Sequence, residues 1–100
     1  MDIVRSVAGV SIRLTDERWD HIVFRHPDFE LRLVDVLQTL REPDAVLEGS
    51  DGEQLAARRF RPRWIVVAYR EVSPEDGFVL TAFLADRDPA TGRNVLWIAS

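Results

Sequence analysis

Two histidines stand five residues apart in the run His21-Ile-Val-Phe-Arg25-His26-Pro27. Imidazole ionises close to neutrality, so either ring could take or give a proton in catalysis. On a helix, five residues turn the rings about 140° apart, so they do not face one ion as an i, i+4 pair would. The chain has no HExxH motif and no cysteine to complete a tetrahedral set, so neither a metal nor another cofactor is implied. His26 is the stronger candidate. It falls at a helix end beside Trp19 and Ile22, where the negative end of the helix dipole favours its charged form. The plainer reading of His26 is a partly buried imidazole bonded to a carbonyl at a break between helices. His21 aligns with Glu17 and Arg25 on what reads as a solvated face.

The second group of reactive side chains is basic. Arg58, Arg59, Arg61, Arg63 and Arg70 occur within thirteen residues that contain no acid. Guanidinium groups fork onto phosphate oxygens and stabilise charge that builds up on a phosphoryl group. Arginines around a tight turn also serve as a solvated edge, and that reading suits Arg61 and Arg63. Arg58 and Arg59 lie within a predicted strand, so one of them faces each side of a sheet. Which one faces a site depends on a register the sequence leaves open. Thr81, in Phe78-Val-Leu-Thr-Ala-Phe83, is a hydroxyl among apolar neighbours, and Tyr69 reads as core with its hydroxyl at the rim.

The elements that carry these residues follow from the hydrophobic period. Loose alternation over Val7–Leu14 suggests a short strand or arm. Thr15-Asp-Glu is a helix start, with a hydroxyl cap and then acids over the positive end of the dipole. Trp19, Ile22, Val23 and His26 form its stripe, and Pro27 ends it. A second helix is predicted from about Pro27–Phe29 to Pro43, with a stripe of Phe29, Leu33, Val34, Leu37 and Leu40. Beyond Asp44 the period changes to that of strands: Ala45–Glu48, Gln54–Phe60, Arg63–Glu71, Phe78–Ala85 and Asn94–Ile98. Their short links favour antiparallel neighbours. The prediction is an α+β domain over residues 1–100, with an arm over 1–14, helices in 15–42 and a four- to five-stranded antiparallel meander over 45–98. The helices are expected to cover the wholly apolar set Trp64, Val66, Ala68, Phe78, Leu80, Ala82 and Leu84. Tyr69, Thr81 and one strand arginine would then share the open face.

Length and charge bound the function. One hundred residues are too few for two independent cores. The net charge is −4, and all thirteen basic residues are arginine. Residues 1–57 carry the acidic excess, and residues 58–100 are slightly basic. A chain of this kind is no general nucleic-acid sponge, but one basic strip can still grip a phosphate backbone. No apolar run approaches the length of a membrane span, and Met1–Val10 lacks the apolar core of a signal peptide. A cytoplasmic location without membrane partners is therefore expected.

Several of these runs, taken in order, resemble a known group. They are Leu14-Thr-Asp-Glu-Arg-Trp-Asp-His-Ile-Val-Phe-Arg-His-Pro27, Leu40-Arg-Glu-Pro-Asp44, Trp64-Ile-Val-Val-Ala-Tyr69 and Gly77-Phe-Val-Leu-Thr-Ala-Phe83. Together they are similar to the small phage and prokaryotic nuclease domains of the Barnase–EndoU–colicin–RelE-like type. The resemblance implies metal-independent RNA cleavage by a toxin-like endoribonuclease, with an antitoxin or immunity protein as a further partner. In that chemistry the ribose 2′-hydroxyl attacks the neighbouring phosphorus, a base and an acid move protons, and a cation steadies the phosphorane. Carried onto this chain, it implies His26 as acid or base, Arg58 or Arg59 on the phosphate, and Thr81 positioning it. Arg25, His21 and Tyr69 would assist in substrate binding. The alternative is a non-catalytic module of the same fold that binds a protein or a nucleotide. The net charge of −4 departs from the basic surface from which a free ribonuclease gains affinity.

Overall fold

The computed structural model describes residues 1–26 and 32–100. The predicted start of the second helix, with Phe29 and Leu31, lies outside the described residues.

Chain order is β1 (Asp2–Arg5), β2 (Ser11–Leu14), α1 (Asp16–Arg25), α2 (Leu33–Arg41), β3 (Ala45–Glu48), β4 (Gln54–Phe60), β5 (Arg63–Glu71), β6 (Asp76–Ala85) and β7 (Val95–Ile98). Thr15 caps α1 by accepting the Arg18 N–H at 3.1 Å, and Asp16 and Glu17 sit over its positive end. Arg32 is extended and caps α2, so this helix begins at Leu33, and Asp35 accepts the Arg32 N–H at 3.0 Å. Ile22 is the buried residue of α1, while Val23 and Phe24 face outward. The apolar stripe of α1 is thus narrower than its sequence suggested.

One seven-stranded sheet runs β1-β2-β6-β5-β4-β3-β7. Its centre is the expected antiparallel meander from β3 to β6. The expectation of a four- to five-stranded antiparallel sheet is corrected in two respects. Residues 2–14 form a β-hairpin, and β2 joins β6 in parallel. A parallel neighbour needs a long connection, and residues 15–75 supply it. Ile12 pairs with Gly77, where a Cβ would stand 2.3 Å from the Arg70 carbonyl oxygen and 2.7 Å from Ile12 Cδ1. Only glycine lets β2 close on β6 there. At the far edge β7 runs parallel to β6, so residues 86–94 must cross the sheet to reach it.

The helices cover the opposite face from the one expected. Ile65, Val67, Tyr69, Val79 and Ala82 pack in one buried cluster with Ile22, Val36 and Leu40 of the helices. Val66, Ala68, Leu47, Leu55 and Ala57 form a second cluster on the other face. The reversal holds for β5 and the start of β6, and a β-bulge at Leu80 ends it there. Tyr69 pairs with Val79, but Ala68 pairs with Thr81 and Val67 with Ala82. One extra residue in β6 shifts the alternation, so Ala82 and Leu84 lie under the helices and Thr81 away from them, as expected, but Thr81 and Tyr69 fall on opposite faces. No helix among the described residues is long and apolar enough to cross a membrane.

Candidate nucleic-acid interface

The bulge and the two-residue β4–β5 turn decide where the predicted site residues fall. Arg58 pairs with Ile65 and so points to the helix face. Its Nε donates to Thr39 Oγ1 at 3.1 Å and its Nη2 to the Asp35 carbonyl at 3.4 Å. Thr39 is fully buried and donates to the same carbonyl at 2.8 Å. Arg58 therefore ties α2 to β4, which is a use of its donors in packing rather than in ligand binding. Tyr69 is buried on this face as well. Burial pushes its phenol pKa well above the ordinary value, and the Glu71 carboxylate adds to the rise, so the group remains a neutral donor.

Arg59 pairs with Trp64 on the other face. Its guanidinium carbon lies 4.9 Å from the centroid of the indole, a cation–π contact. Its backbone N–H donates to Asp44 Oδ2 at 2.6 Å. Its Nε is buried without a partner, the one such side-chain atom among the described residues. Beside the Arg59–Trp64 pair, the crossing segment 86–94 and the sheet enclose a groove of about 530 Å³. Leu55, Val66, Phe83 and Ala85 form its floor, and Arg87 and Arg93 stand on its rim with Asp86 and Asp88. Trp64 pairs with Ala85, which joins the stacked arginine to the groove along one ladder. Thr81 is half-buried on the same face, two residues before Phe83.

The predicted set is thus divided by the sheet. Arg59 and Thr81 share the loop-crossed face, whereas Arg58 and Tyr69 lie under the helices. His26 caps the C-terminus of α1, its N–H bonded to the Ile22 carbonyl at 3.1 Å, and belongs to the helix layer. His21 and Arg25 are exposed on α1. The expected meeting of His26, a strand arginine and Thr81 on one concave face does not occur, because Arg59 and Thr81 face away from the helix layer that holds His26. Sequence reasoning missed the groove residues Phe83, Arg87 and Arg93. Their signal was present in the −Arg-Asp-Pro-Ala-Thr-Gly-Arg− segment, but only the parallel placement of β7 brings that segment over the sheet. Among the described residues, no group of three His, Cys, Asp or Glu side chains is placed to hold a metal ion. No protein-family model, curated protein or solved structure matches this chain.

Proposed function

We propose that the protein is a small RNA-directed domain of endoribonuclease type that engages a single strand on the loop-crossed face of its sheet. The observation that carries this reading is Arg59, stacked on Trp64 with an unused buried Nε beside an arginine-rimmed groove. Aromatic floors accept bases of any sequence by stacking, and guanidinium groups hold the phosphates between them. Phe83 and Trp64 supply the aromatic faces, and Arg59, Arg87 and Arg93 supply the cations. In the cleavage step Arg59 steadies the phosphorane and Thr81 donates a hydrogen bond. The carboxylates of Asp86 and Asp88 line the same groove, so they replace His26 as the groups that move protons.

The test is retention and cleavage of labelled mixed-sequence single-stranded RNA in excess chelator. Arg59→Ala should weaken binding by about tenfold, the scale of one lost stacking or phosphate contact. Arg87→Ala with Arg93→Ala should lower the slope of affinity against salt by about two, one for each phosphate contact. RNA bound but never cut would leave the non-catalytic nucleotide-binding module as the function. RNA neither bound nor cut would discard both.

A further inference from the structure

On the helix-covered face of the sheet, opposite the arginine-rimmed groove, lies a polar cluster for which the RNA reading has no use. Gln54 pairs with Tyr69, and Glu71 follows two residues along the same face. The β1–β2 turn, closed by Gly9 at a φ of 81°, reaches over them. Ser6 is buried, accepts the Val10 N–H at 3.3 Å and donates its own hydroxyl to Glu71 Oε2. Gln54 Nε2 donates to Glu71 Oε1 at 3.1 Å. Both donors are neutral, so the carboxylate is held in place without being neutralised. Each of its oxygens keeps a second acceptor position. Among the described residues, no basic side chain pairs with it.

These groups open into a cleft of about 220 Å³. Its apolar walls are Val7 and Ala8 of the turn, Val46 of β3, and Leu96 and Trp97 of β7. Among the described residues that line it, Glu71 carries the one formal charge. Tyr69 lines the cleft as well. It is only 1% exposed, and its hydroxyl has no hydrogen-bond partner among the described residues. The little surface that Tyr69 keeps opens on the cleft, unlike the sealed Nε of Arg59. The Glu71 charge contributes to the raised pKa of this phenol, so the two groups are near neighbours. A fixed carboxylate without a countercharge and a phenol without a partner are both satisfied by a single donor-rich cation.

We propose that this cleft binds a small organic monocation, a guanidinium or primary ammonium on a short apolar body, with its N–H donors on Glu71 and the Tyr69 hydroxyl oxygen. The head rests at β5. The body runs over Val46 towards Leu96 and Trp97, which belong to a strand three places along the sheet and so meet the tail. Apolar walls thin the water around the ion pair, which strengthens it relative to a pair on an open surface. The volume falls below the roughly 300–1,000 Å³ of pockets for drug-sized ligands, so the body is limited to a few carbons. An anionic ligand would meet the Glu71 charge with no cation to hold it.

The test is titration of the whole, isotopically labelled chain with butylguanidinium, butylammonium, neutral butylurea and butyltrimethylammonium, followed by NMR shifts. At least one of the two N–H cations should bind with a dissociation constant of about 1 mM or tighter, the scale open to a ligand of this size. It should bind at least about tenfold tighter than butylurea, which has no charge, and than the trimethyl compound, which has no N–H donor. The tighter of the two identifies the preferred head. Shifts should centre on the Ser6 and Gln54 amides and the Trp97 indole N–H. Glu71→Gln should remove the preference over butylurea, with urea unfolding checking its fold. Trp97→Ala should weaken butylguanidinium by about fourfold, the worth of one buried methylene, and leave methylguanidinium unchanged. Equal affinity for butylurea and the cations on the unmodified protein would overturn the proposal. So would a trimethyl compound that binds as tightly as butylammonium, or shifts confined to the groove of Asp86 and Asp88. Failure of either N–H cation to saturate the protein would overturn it too. None of these readouts involves RNA, so this reading and the RNA reading fail independently.

Discussion

Arg58 and Arg59 are adjacent in the chain, and the sheet sends them into two different environments. Under the helices, Arg58 meets two acceptors on α2 and is held by them. On the loop-crossed face, Arg59 lies on an indole with a donor unspent. The helix layer is a preformed wall of side chains and carbonyls, so a guanidinium beneath it becomes part of the packing. A nine-residue crossing segment covers less, and on its side the Arg59 guanidinium stacks on a ring while its Nε meets no protein acceptor. The difference shows that the chemistry of a strand arginine here is set by what covers its face.

The same contrast should appear in stability, most strongly in the two cores. Ile65→Ala under the helices and Leu47→Ala under the crossing segment each remove a fully buried side chain, at a cost of about 2–5 kcal/mol. The loop side collapses more easily, so Leu47→Ala should be the milder by about 1 kcal/mol in urea unfolding. Equal losses would mean that the crossing segment is as rigid a cover as the helices. Next in size, Arg58→Ala should cost about 1–3 kcal/mol, because it removes two hydrogen bonds from a charged donor, although Thr39 Oγ1 and the Asp35 carbonyl keep the bond between them. RNA retention should not change with it. Tyr69 then sharpens the comparison through pH. Its phenol is raised in the folded state from 10.0, so both states are neutral below pH 10 and the tyrosine costs nothing there. Above it the unfolded chain ionises first, and stability should fall as pH rises. Melts across that range should show the fall, and Tyr69→Phe should remove the share due to this residue.

Much of the architecture was legible because local signals agreed with the fold. Thr15-Asp-Glu set the start of α1, and the four strands of the meander follow their apolar runs closely. Pairing of Glu71 with Gly77 and of Tyr69 with Val79 was legible from the turn chemistry between β5 and β6. The bulge at Leu80 was not, since nothing in Phe78-Val-Leu-Thr-Ala-Phe83 marks which residue is the extra one. That single residue parts Thr81 from Tyr69, and so changes the composition of the expected site. The parallel contact of β2 with β6 and the antiparallel contact of β7 with β3 were equally hidden. They join segments far apart in the chain, and short β1 shows no clear alternation.

The smallest effect on stability belongs to the residue with the largest expected effect on binding. Arg59→Ala loses a half-exposed cation–π contact, so unfolding should shift by only about 0.5–1 kcal/mol. Its buried Nε has no partner, and removing it leaves no acceptor stranded. Arg58→Ala loses two hydrogen bonds that join α2 to β4. The pair of variants therefore forms a crossed design. Arg58→Ala should unfold early and retain RNA at temperatures where it is folded, and Arg59→Ala should stay folded and release RNA. Urea unfolding and RNA titration on the same two preparations give the answer. If Arg59→Ala costs as much stability as Arg58→Ala, its guanidinium is packing like its neighbour's, and the loop-crossed face loses its claim to be the binding side.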